Sequence, residues 1–309
     1  MPEVNPEISL QGRVVQDYYS RYTTDWYLST WHPEHIHLGL FEPQDHIDLR
    51  ELPTSGRPSP DLTLALERMI DEVVEPVVIH AGQHVVDAGC GVGGAARYIV
   101  GKYGCRVTGL NVSKAQLAIA KQQTKEAGLD RLVDFTFADC SLRLPFPDAS
   151  IDAVVNIESA CHYDDRPQFL REVRRILKPG GRLAASDWLV TERTSPAQFK
   201  EYIQPLCSSW ALPNLETRSS YVRILREAGL ETGPLADFDG RDFRNAHLFG
   251  QRARVFFKRW MFGQASELEV GAMKQLATLH AAWRRGHFEM GRYCAQRPEE
   301  PDRTKDRDT

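Results

Sequence analysis

The stretch HVVDAGCGVGG, residues 84–94, decides the fold. It begins with a short β-branched run, which predicts a strand, and the following AARYIVGKYG predicts a helix. The glycines between them permit a tight turn and let the backbone approach a ligand that a Cβ would exclude. Free N–H groups at the start of the helix add donors at the same place. A glycine-rich turn in this position predicts a nucleotide-type binding site.

Strands and helices alternate outward from this stretch. The segment KAQLAIAKQQTKEAG is predicted to form a helix that Ser113 caps and Gly128 stops. A later helix with one apolar face is expected to end at KPGG, residues 178–181. Alternation at this spacing indicates a parallel sheet with right-handed crossovers. The further predicted strands are CRVTGLNV (105–112), VDFTFAD (133–139), IDAVVNI (151–157) and RLAASDWLV (182–190).

The flanking segments have a different character. Residues before the core are rich in aromatics and histidines, and Ser59 or Asp61 is expected to cap a helix that runs to Val74. Glycine and proline predict a loop over residues 53–60. The predicted segments are an N-terminal substrate cover (1–75), the alternating core (76–190), a mostly helical cover insertion with a basic cluster (191–285), a last edge strand (286–297) and a disordered tail (298–309).

Composition narrows the function classes. The 309 residues carry a formal net charge of −4, so no global basic field exists to hold nucleic acid. The six cysteines form no CxxC pair and no zinc-type ladder, which favours reduced thiols in the cytoplasm. No signal-peptide pattern opens the sequence, and no apolar run is long enough to span a membrane. We expect a cytoplasmic monomer or homo-oligomer that acts on a small molecule.

The core resembles a known enzyme family. DAGCGVGG (87–94) resembles motif I of class I S-adenosylmethionine-dependent methyltransferases. VTGLNVSKAQ (107–116), FADCSLRLPFPDASID (137–152) and LREVRRILKPGGRL (170–183) resemble the later motifs at family spacing. The resemblance covers about residues 75–190. It implies a Rossmann-like α/β fold with a mostly parallel sheet, a helical substrate cover, and S-adenosylmethionine as the cofactor.

The resemblance also assigns a cofactor site. Gly89 and Gly91 are expected to line the methionine and ribose, and Asp139 to meet the adenine amino group. The carboxylate of Asp87 suits the amine-bearing, cationic methionine end better than a pyrophosphate. Asn111 stands where the family usually has an acid, and its amide can still accept from a ribose hydroxyl. The expected cofactor residues are Asp87, Gly89, Cys90, Gly91, Asn111, Val112, Gln116, Asp139, Cys140 and Asn156.

Acceptor chemistry is expected where strand IDAVVNI ends, because ligands bind beyond the carboxyl ends of parallel strands. Glu158 follows that strand, and a carboxylate in an apolar pocket has a raised pKa and suits a general base. His162 lies four residues later, so a helical turn would place both on one face. We therefore predict Glu158 and His162 as catalytic residues; helix capping and a satisfied partly buried histidine are the alternatives.

Two subgroups of the family look similar outside the motifs. WHPEHIHLGLFE (31–42) and residues 93–116 resemble sarcosine/dimethylglycine N-methyltransferases. NIES (156–159) and FEMGRYCAQR (288–297) resemble tocopherol, sterol and terpenoid methyltransferases, and the glutamate resembles that of isoprenyl-diphosphate C-methyltransferases. Aromatic faces stabilise a cation, and a basic cluster binds a diphosphate. The expected substrate residues are Tyr18, Tyr22, Trp26, Trp31, His35, Trp188, Trp210, Arg241, Arg244 and His247.

The sequence therefore predicts a methyltransferase of a small, largely apolar metabolite of secondary, terpenoid metabolism. The specific prediction is C-methylation of a geranyl or farnesyl diphosphate, in which methyl addition to an alkene is followed by deprotonation by Glu158, with Mg²⁺ bound to the diphosphate. The alternatives are N-methylation of a small amine, O-methylation of a natural product, and a non-catalytic module that binds S-adenosylmethionine. Two alternative interpretations are that the aromatic residues pack in the core instead of lining a pocket, and that the basic cluster is a solvated helix face instead of a diphosphate site.

Overall fold

A computed structural model describes residues 7–46 and 59–299. Within them, seven strands form one sheet in the order β3-β2-β1-β4-β5-β7-β6. Strands β1 to β5 run parallel, and β7 runs antiparallel to both of its neighbours. This order confirms the predicted Rossmann-like, mostly parallel architecture. The strands are β1 His84–Ala88, β2 Arg106–Asn111, β3 Val133–Phe137, β4 Ile151–Ile157, β5 Leu177–Val190, β6 Glu231–Thr232 and β7 Phe288–Gln296.

Helices cover both faces of the sheet and its carboxyl edge. Short turns of other geometry interrupt them: π-helical at Thr23–Leu28 and Phe199–Ile203, and 3₁₀ at Ala160–His162. The α-helices in the described residues are α1 Leu10–Tyr22, α2 Pro60–Val74, α3 Gly94–Tyr103, α4 Lys114–Glu126, α5 Arg166–Ile176, α6 Pro196–Gln198, α7 Gln204–Ser209, α8 Arg218–Glu227, α9 Arg244–Met261 and α10 Glu267–Arg284.

The helix signals in the sequence are partly confirmed. Ser113 caps α4, because its hydroxyl accepts from the Gln116 N–H, and Gly128 follows the helix end with a positive φ of 69°. Ser59 is the residue before α2, yet its side chain makes no capping bond. Asp61 does not cap α2 either, because its carboxylate accepts the backbone N–H of His46. Most of the loop predicted over residues 53–60 lies outside the described residues.

The sheet differs from the predictions at two places. The predicted edge strand is not the edge: β7 pairs with β5 over nine residues, and β6 pairs with the end of β7 on the other side. A strand of two residues, such as β6, is too short to show the alternation that predicts a strand from sequence. In addition, α5 ends at Ile176, just before KPGG as expected, but β5 begins at Leu177 instead of the predicted Arg182, because KPGG is part of the strand. Residues 300–309 of the predicted disordered tail lie outside the described residues.

The strand order fixes where a ligand binds. It reverses between β1 and β4, which lie side by side with Val86 opposite Val154. The crevice at the carboxyl ends of such a pair is the usual binding site of open α/β sheets. The glycine turn follows β1 and Glu158 follows β4, so both open onto this crevice. No described helix is long and apolar enough to cross a membrane.

Candidate active site

A cavity lies at the carboxyl ends of β1, β2 and β4, beneath the N-terminal segment. It holds about 1120 Å³ of empty space, its open mouth included, which suits a cofactor together with a small second molecule. Among the predicted residues, its wall contains Asp87, Gly89, Cys90, Gly91, Asn111, Val112, Gln116, Asp139, Cys140, Glu158, His162, His35, Trp188 and Trp210. The tertiary structure thus brings most of the predicted cofactor residues and both predicted catalytic residues into one space.

The glycine turn after β1 requires its glycines. Gly89, Gly91 and Gly93 have φ values of 85°, 53° and 81°, a region that other residues rarely adopt. A Cβ on Gly89 would also overlap the Ser159 side chain. The amides of Gly89 and Cys90 both donate to the Leu110 carbonyl, which ties the turn to β2. The turn is therefore rigid before any ligand arrives.

Asp87 is the residue of the site that most needs a ligand. Its side chain is 2% exposed, and its Oδ2 atom has no hydrogen-bond partner among the described residues. Burial raises the pKa of this carboxyl to about 7. An unpaired buried carboxylate is costly, and an amine-bearing or cationic ligand would satisfy it. The residues present at this end of the cavity therefore fit the methionine end of S-adenosylmethionine.

The Asn111 amide is already engaged by protein atoms. Its Nδ2 donates to the Gly91 carbonyl and to Gln116 Oε1, and its Oδ1 accepts from the Ser113 N–H. Gln116 in turn donates to Thr23 Oγ1 in the cover. The pair predicted to hold the ribose thus connects the glycine turn, α4 and the N-terminal segment. A ribose hydroxyl would share Oδ1 of Asn111 through its second lone pair.

The N-terminal segment closes over the predicted adenine position. Asp139 accepts the backbone N–H groups of Ser9 and Ser141, at 2.9 Å each. A Cβ on Gly12 would overlap the same carboxylate, so a glycine in α1 permits this close approach. Gln16 adds a bond to the Val112 carbonyl. Sequence reasoning missed Ser9 and Gly12, since nothing local in them indicates a partner more than 120 residues away.

Asn156 does not line the cavity, although it was predicted to contact the cofactor. It is fully buried near the end of β4, and its Nδ2 donates to the Ala88 carbonyl and to Ser159 Oγ. Ser159 also donates to the Ala88 carbonyl and bonds the Tyr163 hydroxyl at 2.9 Å. These bonds fasten the segment after β4 to the end of β1, so Asn156 supports the site from behind.

Glu158 is held in an unusual conformation at the centre of the cavity. Its φ is +52°, a strained value for a side chain other than glycine. Its Oε1 accepts the Leu38 N–H and its Oε2 accepts the Trp188 indole N–H, each at 2.8 Å. Burial raises the pKa of this carboxyl to about 8, although both donors oppose the shift. The result is a positioned carboxyl that titrates near neutral pH.

A second buried carboxylate positions the segment that carries Glu158. Asp187 Oδ1 accepts the N–H groups of Cys161 and Trp188, and its Oδ2 accepts the Tyr221 hydroxyl. Arg166 donates to the carbonyls of Ala160 and Cys161 from the other side. Hydrogen bonds on both sides therefore fix the turn after β4. They stabilise the left-handed backbone conformation of Glu158.

Burial favours the neutral form of the cavity histidines, and their hydrogen-bond partners assign the tautomers. Burial lowers the pKa of His162 to about 4, and its Nδ1 contacts the Ala211 carbonyl, which can only accept. Its Nε2 therefore accepts the Tyr19 hydroxyl at 3.0 Å. By the same argument His37 donates to the Leu38 carbonyl and accepts from His35 Nδ1, which leaves Nε2 of His35 as an acceptor.

The predicted aromatic residues divide into two groups. Trp188 and Trp210 line the cavity, with ring centroids 5.0 Å apart in an edge-to-face arrangement. Tyr19, Tyr27, His37 and Leu212 line it as well, and sequence reasoning missed them. The remaining predicted aromatics do not line the cavity but pack in the cover: Tyr18 bonds the Tyr27 hydroxyl, Tyr22 packs on Tyr18, Trp26 on Phe256 and Trp31 on Phe249.

The basic cluster lies away from the cavity. Arg241 pairs with Glu42 and Glu72, while Arg244 donates to the carbonyls of Glu42 and Asp45. His247 is exposed and bonds Gln251 on its own helix. No arginine or lysine is among the described residues of the cavity wall. The predicted diphosphate contacts are therefore absent from the described wall: Arg241 lies against Glu72 of α2, Arg244 contacts the segment before α2, and His247 points to solvent.

Similarity to known proteins agrees with this geometry. A methyltransferase-domain family model matches residues 86–185. Methyltransferase GfsG of Streptomyces halstedii is 34% identical over 73% of this chain and 76% of its own. A sarcosine/dimethylglycine N-methyltransferase of Halorhodospira halochloris is 31% identical over 70% and 71%, respectively. The structure of geranyl diphosphate C-methyltransferase from Streptomyces coelicolor has a TM-score of 0.69 at 20% identity, over 94% of this chain and 100% of that one. The chain therefore belongs to the class I S-adenosylmethionine-dependent methyltransferases.

Proposed function

We propose that this methyltransferase acts on an uncharged, largely apolar small molecule, and that Glu158 removes the proton which the acceptor loses. One observation carries the proposal: a carboxyl with a pKa of about 8 stands among aromatic side chains in a cavity whose described wall has no cationic residue. At the acceptor end, a diphosphate would place several negative charges where the described wall offers no cationic side chain, at a cost that charge burial makes large.

The site residues divide the work between two ends. S-adenosylmethionine, when bound, supplies a methyl group on a positively charged sulfur. At its end of the cavity, Asp87 offers a buried carboxylate to an amine, the glycine turn leaves room for the ligand, and Asp139 lies beside Cys140 as an acceptor. At the other end, Trp188 and Trp210 bury the acceptor and exclude water. The proton released from the methylated atom goes to the Glu158 carboxylate.

Within this class we favour an alkene carbon of an isoprenoid chain over a hydroxyl oxygen. Methyl addition to an alkene leaves a positive charge on carbon, and the faces of Trp188, Trp210, Tyr19 and Tyr27 would stabilise it. The prenyl group predicted from the sequence is thus kept, whereas the diphosphate and its Mg²⁺ are not.

A methyl-transfer screen tests the proposal. Labelled S-adenosylmethionine is offered with farnesol, with geranyl and farnesyl diphosphate, and with sarcosine, each with and without Mg²⁺. We expect label in farnesol without metal, at a carbon atom located by mass spectrometry and NMR. Label on the oxygen of farnesol would support an uncharged acceptor but would exclude an alkene carbon as the methylated atom. Label only in a diphosphate with Mg²⁺, or only in sarcosine, would contradict the proposal.

A further inference from the structure

The end of α9 carries a dense group of exposed apolar side chains. We call residues 254–262, RVFFKRWMF, the aromatic tip. Five of the eleven exposed large hydrophobic side chains in the described part of the chain lie within it. A contiguous group of this kind marks an interaction surface, whereas scattered exposed residues do not. Its exposed apolar members are Val255 (51%), Phe257 (47%), Trp260 (51%), Met261 (59%) and Phe262 (72%).

The tip is exposed because α9 extends past the part that packs on the protein. The first turns of the helix bury Asn245, Phe249 and Arg252, and Phe256 packs on Trp26 with ring centroids 4.9 Å apart. Beyond Phe256, every residue from 257 to 264 is exposed. An ion pair between Arg259 and Glu269 at 3.0 Å attaches this end to α10. The tip is thus a supported projection with apolar side chains around it.

The charge of the tip is opposite to that of the whole chain. Arg254, Lys258 and Arg259 lie in it and no acidic residue does, whereas the chain carries a formal −4. Aromatic side chains, above all tryptophan, beside lysine and arginine are the composition of helices that lie in the headgroup region of a membrane. Each basic residue near an anionic lipid surface strengthens such binding.

We propose that the aromatic tip docks this protein on the surface of an anionic phospholipid bilayer. Phe257, Trp260, Met261 and Phe262 would enter the headgroup boundary, while Arg254 and Lys258 would contact lipid phosphates. A second copy of the chain is a poorer partner, since a two-fold contact would set these cations against their own copies. The attachment is peripheral and reversible, because only side chains at the end of one helix would enter the headgroup region.

The position of the tip connects the membrane to the cavity. Phe256 packs on Trp26. Tyr27, the residue after Trp26, lines the cavity and packs against the ring of Trp210. Docking would therefore place the N-terminal cover beside the bilayer, where apolar acceptors accumulate. This consequence rests on the proposed function, but lipid binding itself does not, because it needs neither S-adenosylmethionine nor an acceptor.

Vesicle flotation tests the proposal with the full chain. The protein is mixed with vesicles of phosphatidylcholine alone, or with phosphatidylglycerol added, at low and high salt. We expect flotation with the anionic vesicles that high salt weakens. The double variant Phe257→Ser/Trp260→Ser should lower the partition coefficient by about tenfold or more, as loss of two buried aromatics implies. Arg254→Glu/Lys258→Glu should abolish the preference for phosphatidylglycerol.

A matched control removes exposed apolar residues elsewhere. Val78 and Leu132 precede β1 and β3 at the amino edge of the sheet, opposite the cavity, and are 66% and 40% exposed. Val78→Ser/Leu132→Ser should float like the wild type, with circular dichroism confirming that all variants are folded. Absence of flotation, or equal flotation of the tip and control variants, would overturn the proposal. A dimer in analytical ultracentrifugation that only the tip variants dissociate would also overturn it, in favour of a second copy.

Discussion

The cofactor half and the acceptor half of one cavity are assembled from different kinds of segment. In the cofactor half, Asp87, Asn111 and Asp139 stand at the ends of β1, β2 and the strand that follows, so alternation of strand and helix is enough to bring them together. In the acceptor half, Glu158 contacts Leu38 and Trp188, which are 120 and 30 residues away in sequence. The first half follows from local motifs, whereas the second depends on how the cover folds back.

The difference has an energetic side as well. In the cofactor half, Oδ2 of Asp87 has no hydrogen-bond partner among the described residues, so a bound ligand could supply one. The acceptor half satisfies both oxygens of Glu158 with neutral donors and still raises its pKa to about 8. In the proposed function, one carboxylate binds the cofactor and the other accepts a proton. Variants that separate binding from turnover test this contrast.

The largest expected effect is that of Glu158→Gln. The amide keeps the size of the side chain but cannot take a proton, so kcat should fall by about 10²–10⁴-fold. The affinity for S-adenosylmethionine, measured by calorimetry, should stay within about threefold. Exposed Glu227, paired with Arg223 on α8, provides the control variant Glu227→Gln. If Glu158→Gln methylates its acceptor near the wild-type rate, Glu158 is not the base.

Asp87→Ala should act on the other half of the cavity. Loss of a charge-assisted bond in a buried site costs about 2–3 kcal/mol, so the Kd of S-adenosylmethionine should rise by roughly 30- to 150-fold. The ligand-free protein should not lose stability, because the variant removes an unpaired buried carboxylate. Calorimetry and thermal melting without ligand measure the two quantities. A drop in melting temperature with unchanged Kd would make Asp87 a purely structural residue.

A pH series of melting temperatures sharpens the contrast between wild type and Glu158→Gln. The folded-state pKa of Glu158, about 8, lies above the ordinary value of 4.5, so the folded protein binds this proton more tightly. The stability it contributes is complete below pH 4.5 and is lost as the pH rises through 8. Glu158→Gln should therefore gain melting temperature relative to wild type between pH 5 and pH 9, by roughly 5 °C. A constant difference would mean that the carboxyl does not titrate there.

The smallest effect is expected from the basic cluster. Arg244→Ala removes a side chain that donates to the backbone carbonyls of Glu42 and Asp45 and lies over the Phe41 ring, outside the cavity. We expect kcat/KM for an uncharged acceptor to stay within about twofold, since surface contacts of this kind contribute little. A decrease in kcat/KM of tenfold or more, confined to diphosphate substrates, would show that the basic cluster contacts the substrate.

Much of the cofactor half could be predicted from residues 84–139. Asp87, the glycines, Asn111 and Asp139 were identified because each lies at or just after the end of a strand, and the glycine motif carries its own backbone requirement. Predictions in the cover were less accurate. Trp26 and Trp31 pack in the cover while Tyr19 and Tyr27 line the cavity, although all four lie in one aromatic segment. Composition indicated an aromatic pocket, but the facing of each side chain depends on helix rotation and a π-helical turn that no periodicity reveals.

The sequence by itself determined the fold class, the methyltransferase family and the position of Glu158, the proposed base, because strand periodicity, glycine placement and residue type are local properties. Only the tertiary structure decided the environment of those residues. The raised pKa of Glu158 requires burial by the cover, the bond between Ser9 and Asp139 spans 130 residues, and the arginines of α9 face away from the cavity. Burial and charge partnership are properties of packing, and residues distant in sequence supply them.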